Sequence, residues 1–296
     1  MPKLDFQFVP FGESTSAETL SVDGVVDGAG THASHWAGNR TPPEMKADTA
    51  TEIALNFARR GLPPGTRLAN NHFDADGALA VFALLEPEIA ARHADLITAA
   101  AEAGDFDEWP RDDRGLRLGF AIRALADRAG GEREAYALVL PALPDLLGDL
   151  DAHRDLWEAE WAALMEADGR ASRGALQADQ HGGVALLVHG PGVADLPGPV
   201  LSRRSSPRAT RRLLAFDQGD GAFHYLYERP RWAWADTVVR PRIPPPSRNA
   251  LGRDLGAEWT VAEDLGMTGI LRTTAPVRRE PADIVAVILR ADAGAR

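Results

Sequence analysis

The run Asn70-Asn71-His72-Phe73-Asp74-Ala75-Asp76-Gly77 sets an imidazole and two carboxylates at alternate positions. Alternate side chains of an extended segment point the same way, so His72, Asp74 and Asp76 can converge on one point if the strand conformation persists. Nitrogen and oxygen donors of this kind suit Mn²⁺, Mg²⁺, Fe²⁺ or Zn²⁺. Gly77 permits a tight turn into a helix whose amino end favours an anionic ligand. Helix capping by Asp74 or Asp76 is the competing explanation, and it accounts for one carboxylate but not for His72 and both acids together.

Two further clusters carry the same kind of chemistry. His32 and His35, in Thr31-His32-Ala33-Ser34-His35-Trp36, are three apart on a loop and can bind one metal or flank a pair, or can simply be polar surface. Asp105 follows Gly104 at the end of the apolar stretch Ile97 to Ala103 and could supply a carboxylate that bridges two metals. A helix C-cap at Gly104, followed by a solvated acidic loop with Asp107 and Glu108, explains it equally well. Toward the carboxyl end, Arg229 and Arg231, then Arg240 and Arg242, are pairs at spacing two, and Arg248 stands at the head of an expected helix. Guanidinium forks match phosphate and carboxylate oxygens, so Arg240, Arg242 and Arg248 are substrate-binding candidates; solubilising sheet edges are the alternative.

The elements that must position these groups follow from periodicity. Leu4 to Val9, Val22 to Val26 and Thr66 to Asn71 are expected strands, so the His72 motif falls at a strand's carboxyl end. Met45, Thr49, Ile53 and Phe57 form a helical stripe over Pro43 to Arg60, ended by Gly61. Helices are expected over Ala78 to Leu85, Pro87 to Ala103, Gly115 to Ala129 and Glu132 to Ala167, the last interrupted near Pro141 and Pro144. Between Asp168 and Gln180 the helical stripe is lost, which marks a domain boundary. Beyond it Val184 to Val188, Leu213 to Phe216, Phe223 to Tyr227, Trp232 to Val239 and Ile284 to Leu289 are expected strands. Arg248 to Trp259 and Val261 to Leu265 are expected helices, after a stiff Pro244-Pro245-Pro246 connector. The predicted fold is thus α/β over residues 1–170, with a smaller α+β domain over 175–296.

Composition limits the partners. In 296 residues, 32 Lys and Arg stand against 43 Asp and Glu, a net charge of −11, which disfavours long duplex nucleic acid held through bulk charge. The absence of cysteine excludes disulfides, thiolate metal sites and a Cys nucleophile, so any metal must sit on His, Asp or Glu. The first ten residues lack a signal-peptide pattern, and no run approaches the roughly 18 apolar residues of a membrane span, so a cytoplasmic protein with no membrane partner is expected.

His72-Phe73-Asp74-Ala75-Asp76-Gly77 resembles the first motif of the DHH phosphoesterase superfamily, and Glu102-Ala103-Gly104-Asp105 is similar to its second, with Asp105 in the place of the bridging carboxylate. The Asp-His-His triplet is absent downstream; Ser34-His35-Trp36-Ala37-Gly38-Asn39 looks like a degenerate copy lying ahead of the first motif. His181-Gly182-Gly183 is similar to the glycine-rich segment of the accessory domain, which makes His181 a substrate-binding candidate. The whole chain also looks like a bacterial family of unknown function with Ser-His-Trp and Asn-His-Phe-Asp signatures.

The resemblance implies a parallel-sheet domain with a dinuclear Mn²⁺ site, Mg²⁺ being the second choice, held by His72, Asp74, Asp76 and Asp105 with His32 and His35. It also implies hydrolysis of a small phosphorylated or nucleotide substrate, with Asp76 and His35 catalytic. His35 would be a ligand or the acid that protonates the leaving oxygen. The rival expectation is a catalytically inactive relative that binds a nucleotide or metabolite.

Overall fold

Thr19–Val22 is buried at every position and Leu68-Ala69-Asn70 at all three, as in strands covered on both faces, and these two strands form the centre of a four-stranded parallel sheet. In a computed structural model that describes residues 4–205, 209–243, 251, 254–256, 258–261 and 271–293, β1 (Asp5–Phe8), β2 (Thr19–Val22), β3 (Thr31–Ala33) and β4 (Arg67–Asn70) lie in the order β1-β4-β2-β3. Ala69 pairs with Gln7 on one side and Ser21 on the other, so β2, β3 and β4 all end at one edge. In open parallel sheets that edge is where loops gather functional groups.

Helices cover this sheet. In α1 (Ala50–Arg60), Thr49 and Glu52 form a reciprocal capping box and Gly61 at φ 84° stops the helix. The stripe expected from Pro43 begins with a separate 3-10 turn, Pro43–Met45, because the chain leaves it in an extended conformation at Lys46. α2 (Ala75–Leu85) is capped by Asp74 and buried from Asp76 to Leu84, so it is the central helix, with α1 and α4 packed on it. The helix expected over Pro87 to Ala103 divides at His93 into α3 (Pro87–Arg92) and α4 (Ala94–Phe106). α4 runs through Gly104, so Asp105 lies in its last turn and the left-handed cap is Asp107 at φ 50°. α5 (Arg114–Ala126) and α6 (Glu132–Gly148) follow, and Pro141 and Pro144 sit inside α6. The interruption falls later, at the 3-10 turn Leu150–Leu156 before α7 (Glu158–Arg170).

The chain forms two compact units, Met1–Ala162 with Ala235–Pro241, and Ala163–Trp234 with Arg242–Arg296. The second unit holds a mixed sheet of β5 (Leu176–His181), β6 (Val184–His189), β7 (Arg211–Asp217), β8 (Phe223–Glu228), β9 (Trp259–Val261) and β10 (Leu271–Thr273), in the order β5-β6-β7-β8-β10-β9. β6 and β7 are parallel, joined through α8 (Gly198–Arg204). The other pairs are antiparallel. Ile284 to Leu289, expected as a strand, belongs to α9 (Pro281–Ala293), whose Ile284 and Ile288 enter the core beside Val184, Leu213 and Tyr225. Trp232 to Val239 is not a strand either: Arg231–Trp234 is a 3-10 turn, and the residues after it join the first unit. Trp259 opens β9 and Val261 ends it, so neither belongs to the helices expected there. Of the helix expected over Arg248 to Trp259, Leu251, Asp254 and Leu255 are helical; residues 244–250, 252–253, 257 and 262–270, which include the proline run, lie outside the described residues. Among the described residues no helix is long and apolar enough to cross a membrane.

Candidate metal centre

The carboxyl ends of β2, β3 and β4 deliver the polar groups of the first unit to one place. Asp23 follows β2 and sits at φ 63°, a left-handed conformation that Asp tolerates better than bulkier residues. Its N–H donates to the Ala33 carbonyl (2.8 Å), which ties the β2 end to the β3 end. His35 follows β3; His72, Asp74 and Asp76 follow β4; Asp105 comes from the last turn of α4. Asp23, His35, Asp76 and Asp105 bring one ligand atom each within 4.8 Å of one another, and so do Asp23, His72 and Asp74. Asp23 is therefore common to two groups.

Both imidazoles are oriented the same way. His35 Nδ1 lies 2.6 Å from the Asp48 carbonyl oxygen, an acceptor only, so Nδ1 carries the hydrogen. Its Nε2 consequently faces Asp105 (3.2 Å), Asp23 (3.6 Å) and Asp76 (3.8 Å). His72 Nδ1 meets Asn71 Oδ1 at 3.1 Å, while its Nε2 lies 2.9 Å from Asp23 Oδ2 and 3.1 Å from Asp74 Oδ2. A lone pair aimed at several carboxylates is repelled unless a proton or a metal ion stands between them. Without metal the proton does so. Burial opposes the charge on His72, but Asp23 and Asp74 outweigh it and push this imidazole up to about 11. Burial likewise opposes His35, and Asp105, Asp76 and Asp23 push it up to about 10. The carboxyls respond in turn: burial and the Asp23 charge raise Asp76 to about 7, and burial with Asp76 and Asp74 raises Asp105.

The two groups differ in access. Side chains of the His35 group are at most 8% exposed, whereas His72 and Asp74 are 22% and 41% exposed. Asp76 also has a structural task, its two oxygens accepting from the Ala50 and Thr51 N–H groups at 2.7 Å, so it caps α1 from α2. Asp74 caps its own helix by accepting from the Gly77 N–H at 2.8 Å. Behind them, Asn70 Oδ1 accepts from the Gly24 and Asn71 N–H groups, and Asn70 Nδ2 donates to the Tyr136 hydroxyl (2.7 Å), which donates to the His72 carbonyl (3.0 Å).

These residues fit divalent cations. Neither buried oxygen of Asp23 has an aligned hydrogen bond, although such groups are normally satisfied. The 3.2–3.8 Å separations around His35 Nε2 are below about 4.2 Å, the widest spacing that two donors with bonds near 2.1 Å to one ion can have. Four carboxylates match the charge of two divalent ions.

The other candidates lie elsewhere. His32 belongs to neither group: it is buried, its Nδ1 accepts from the Arg40 N–H at 3.0 Å, and burial with the Arg40 charge lowers it to about 4. His181 is on β5, 3.2 Å from Asp179. Arg242 is exposed, and Arg248 lies outside the described residues. Arg240 is bound by Asp48, Glu102 and Glu108 of the first unit. The sequence reading did not single out Asp23, although Asp23-Gly24 at a strand end repeats the Asp76-Gly77 pattern. Asp48 offered no such signal.

Residues 4–279 match the family described as a family of unknown function (DUF6687). No curated protein and no solved structure matches the chain.

Proposed function

Because the chain belongs to this family of unknown function, its activity has to be inferred from the site, and we propose that it is a metal-dependent phosphoesterase-like hydrolase acting on a small phosphorylated or nucleotide substrate. The observation that carries the reading is the shared position of Asp23 between two His–carboxylate groups whose Nε2 atoms both point inward. Mn²⁺ is the first choice and Mg²⁺ the second, the order that the DHH likeness implies, and carboxylate donors suit both. When bound, a divalent pair supplies an activated water and neutralises the charge that develops on phosphoryl oxygens.

The chain's own residues would divide the work. Asp23, His35, Asp76 and Asp105 form the sealed position and hold the geometry. Asp23, His72 and Asp74 form the open position, where solvent and substrate arrive. In the sealed position His35 would serve as a ligand through Nε2 and not as the acid for the leaving group, because it is buried and the one hydrogen left to it, on Nδ1, is committed to the Asp48 carbonyl. The likeness of the His72 motif to the DHH superfamily directs the choice of phosphoesters, and four clustered carboxylates would repel such anions unless cations offset them.

The test is metal content followed by turnover. The purified protein is expected to hold Mn²⁺ near two equivalents and to hydrolyse a member of a panel of phosphomonoesters, phosphodiesters and pyrophosphates, with Asp76→Asn losing both properties. Nucleotide binding without turnover of any panel member would identify the catalytically inactive relative instead.

A further inference from the structure

We infer that Arg240 is a positioning residue for the sealed metal position, holding the loop behind His35 and the helix end that bears Asp105 in register. The inference rests on the metal reading above. It starts from a segment far away in sequence, Ala235–Pro241, which belongs to the first unit.

This segment grips His35 from two sides. The Asp236 N–H donates to the His35 carbonyl at 2.7 Å. The Val238, Val239 and Arg240 N–H groups all donate to the Asp48 carboxylate, whose residue accepts the His35 Nδ1–H on its own carbonyl. The Asp48 carboxylate is 2% exposed, so these donors replace water in holding its charge. The Arg240 side chain then extends the grip to α4. Its Nη1 donates to Asp48 Oδ2 (2.9 Å), its Nη2 to Glu102 Oε1 (2.8 Å) and Glu108 Oε2 (2.6 Å), and its Nε to Glu108 Oε1 (3.0 Å). Its guanidinium lies 4.7 Å over the Phe106 ring, next in sequence to Asp105, and that ring is 6.0 Å from the His35 ring. Glu102 and Glu108 stand three residues to either side of Asp105.

One guanidinium thus joins the residue that orients His35 to the helix turn that presents Asp105. Planar forked donors can do this, and a point-charge ammonium cannot reproduce all the bonds. Partners that orient a ligand typically change metal affinity by about 10- to 100-fold when removed.

The experiment is a Mn²⁺ titration of the full chain, read by the electron paramagnetic resonance of free Mn²⁺, in wild type, Arg240→Ala, Arg240→Lys and Asp48→Asn. Melting temperatures in EDTA are recorded alongside. Loss of about 10- to 100-fold in affinity for the tighter equivalent in Arg240→Ala, with partial recovery in Arg240→Lys and the weaker equivalent intact, supports the inference. A lower melting temperature in EDTA with Mn²⁺ affinity unchanged would overturn it and leave Arg240 a purely structural ion pair. If Arg240→Ala does not fold, Arg240→Lys and Asp48→Asn decide by the same affinities. A wild type that binds no Mn²⁺ removes the metal reading itself, a different result from wild type and variants binding alike.

Discussion

At the scale of single residues, protons and a bound metal ion would compete for the same two nitrogens. His72 and His35 are pushed up to about 11 and 10, against about 6.5 in an unfolded chain. The metal-free folded state therefore binds more protons than the unfolded one above pH 6.5. The stability these pairs contribute is complete below that pH and is lost as pH rises through 10 and 11. Metal binding must displace those protons, so it strengthens over the same range. The rise in melting temperature caused by saturating Mn²⁺ is expected to be larger at pH 9 than at pH 6.5; a pH-independent rise in differential scanning calorimetry would contradict the assignment of both imidazoles as ligands. Gly77 gives a steric counterpart. Alanine would ordinarily favour a helix by about 1 kcal/mol over glycine. Here its Cβ would meet Asn70 Nδ2 at 2.7 Å and Asp23 Oδ2 at 2.8 Å, and both atoms belong to a packed polar network. Overpacking costs about 1–3 kcal/mol, so Gly77→Ala is expected to be net destabilising in urea and to weaken Mn²⁺ binding by displacing Asp23.

At the scale of elements, two helices share one acidic residue. α1 is capped within its own chain segment by Thr49 and from α2 by Asp76. Thr49→Ala is expected to cost about 1 kcal/mol, the same in EDTA and in Mn²⁺. Asp76→Asn should cost more in Mn²⁺ than in EDTA, and urea melts in the two buffers separate the roles. His72, Asp74 and Asp76 were legible by residue type, but the strand alternation does not hold: β4 ends at Asn70 and α2 begins at Ala75, so His72 and Asp74 join one group and Asp76 the other. Asp23 was not legible, since β2 ends before Val26 and the left-handed turn at Asp23 is fixed by a hydrogen bond to β3. Gly104 read as a stop because glycine favours C-caps, yet α4 continues through it, with a Gly104 Cβ position 3.4 Å from the Ala75 Cβ of α2. Close approach of two helices explains that glycine better than termination does. Ile284 to Leu289 is too short and too uniformly apolar for period two and period 3.6 to be told apart, and Pro281 with Asp283 was the helix signal available.

At the scale of the whole molecule, Ala235–Pro241 shows that the first unit is not continuous in sequence. Nothing local announces this, because the partner of Arg240 at Asp48 is 192 residues away. Residues 1–162 alone would lose the Val238, Val239 and Arg240 donors that hold the Asp48 carboxylate in the intact chain. That fragment is expected to melt lower than the intact chain and to bind Mn²⁺ weakly; equal behaviour in calorimetry and Mn²⁺ titration would show that the segment is dispensable. The same discontinuity sets a timetable for biosynthesis. At about 5–20 residues per second, residue 240 leaves the ribosome roughly 10–40 s after residue 48, given their 192-residue separation. The sheet and all six His and Asp side chains of the site exist long before the chain can close behind His35. If the site holds metal as proposed, a nascent first unit would meet the ion before Ala235–Pro241 has closed behind His35.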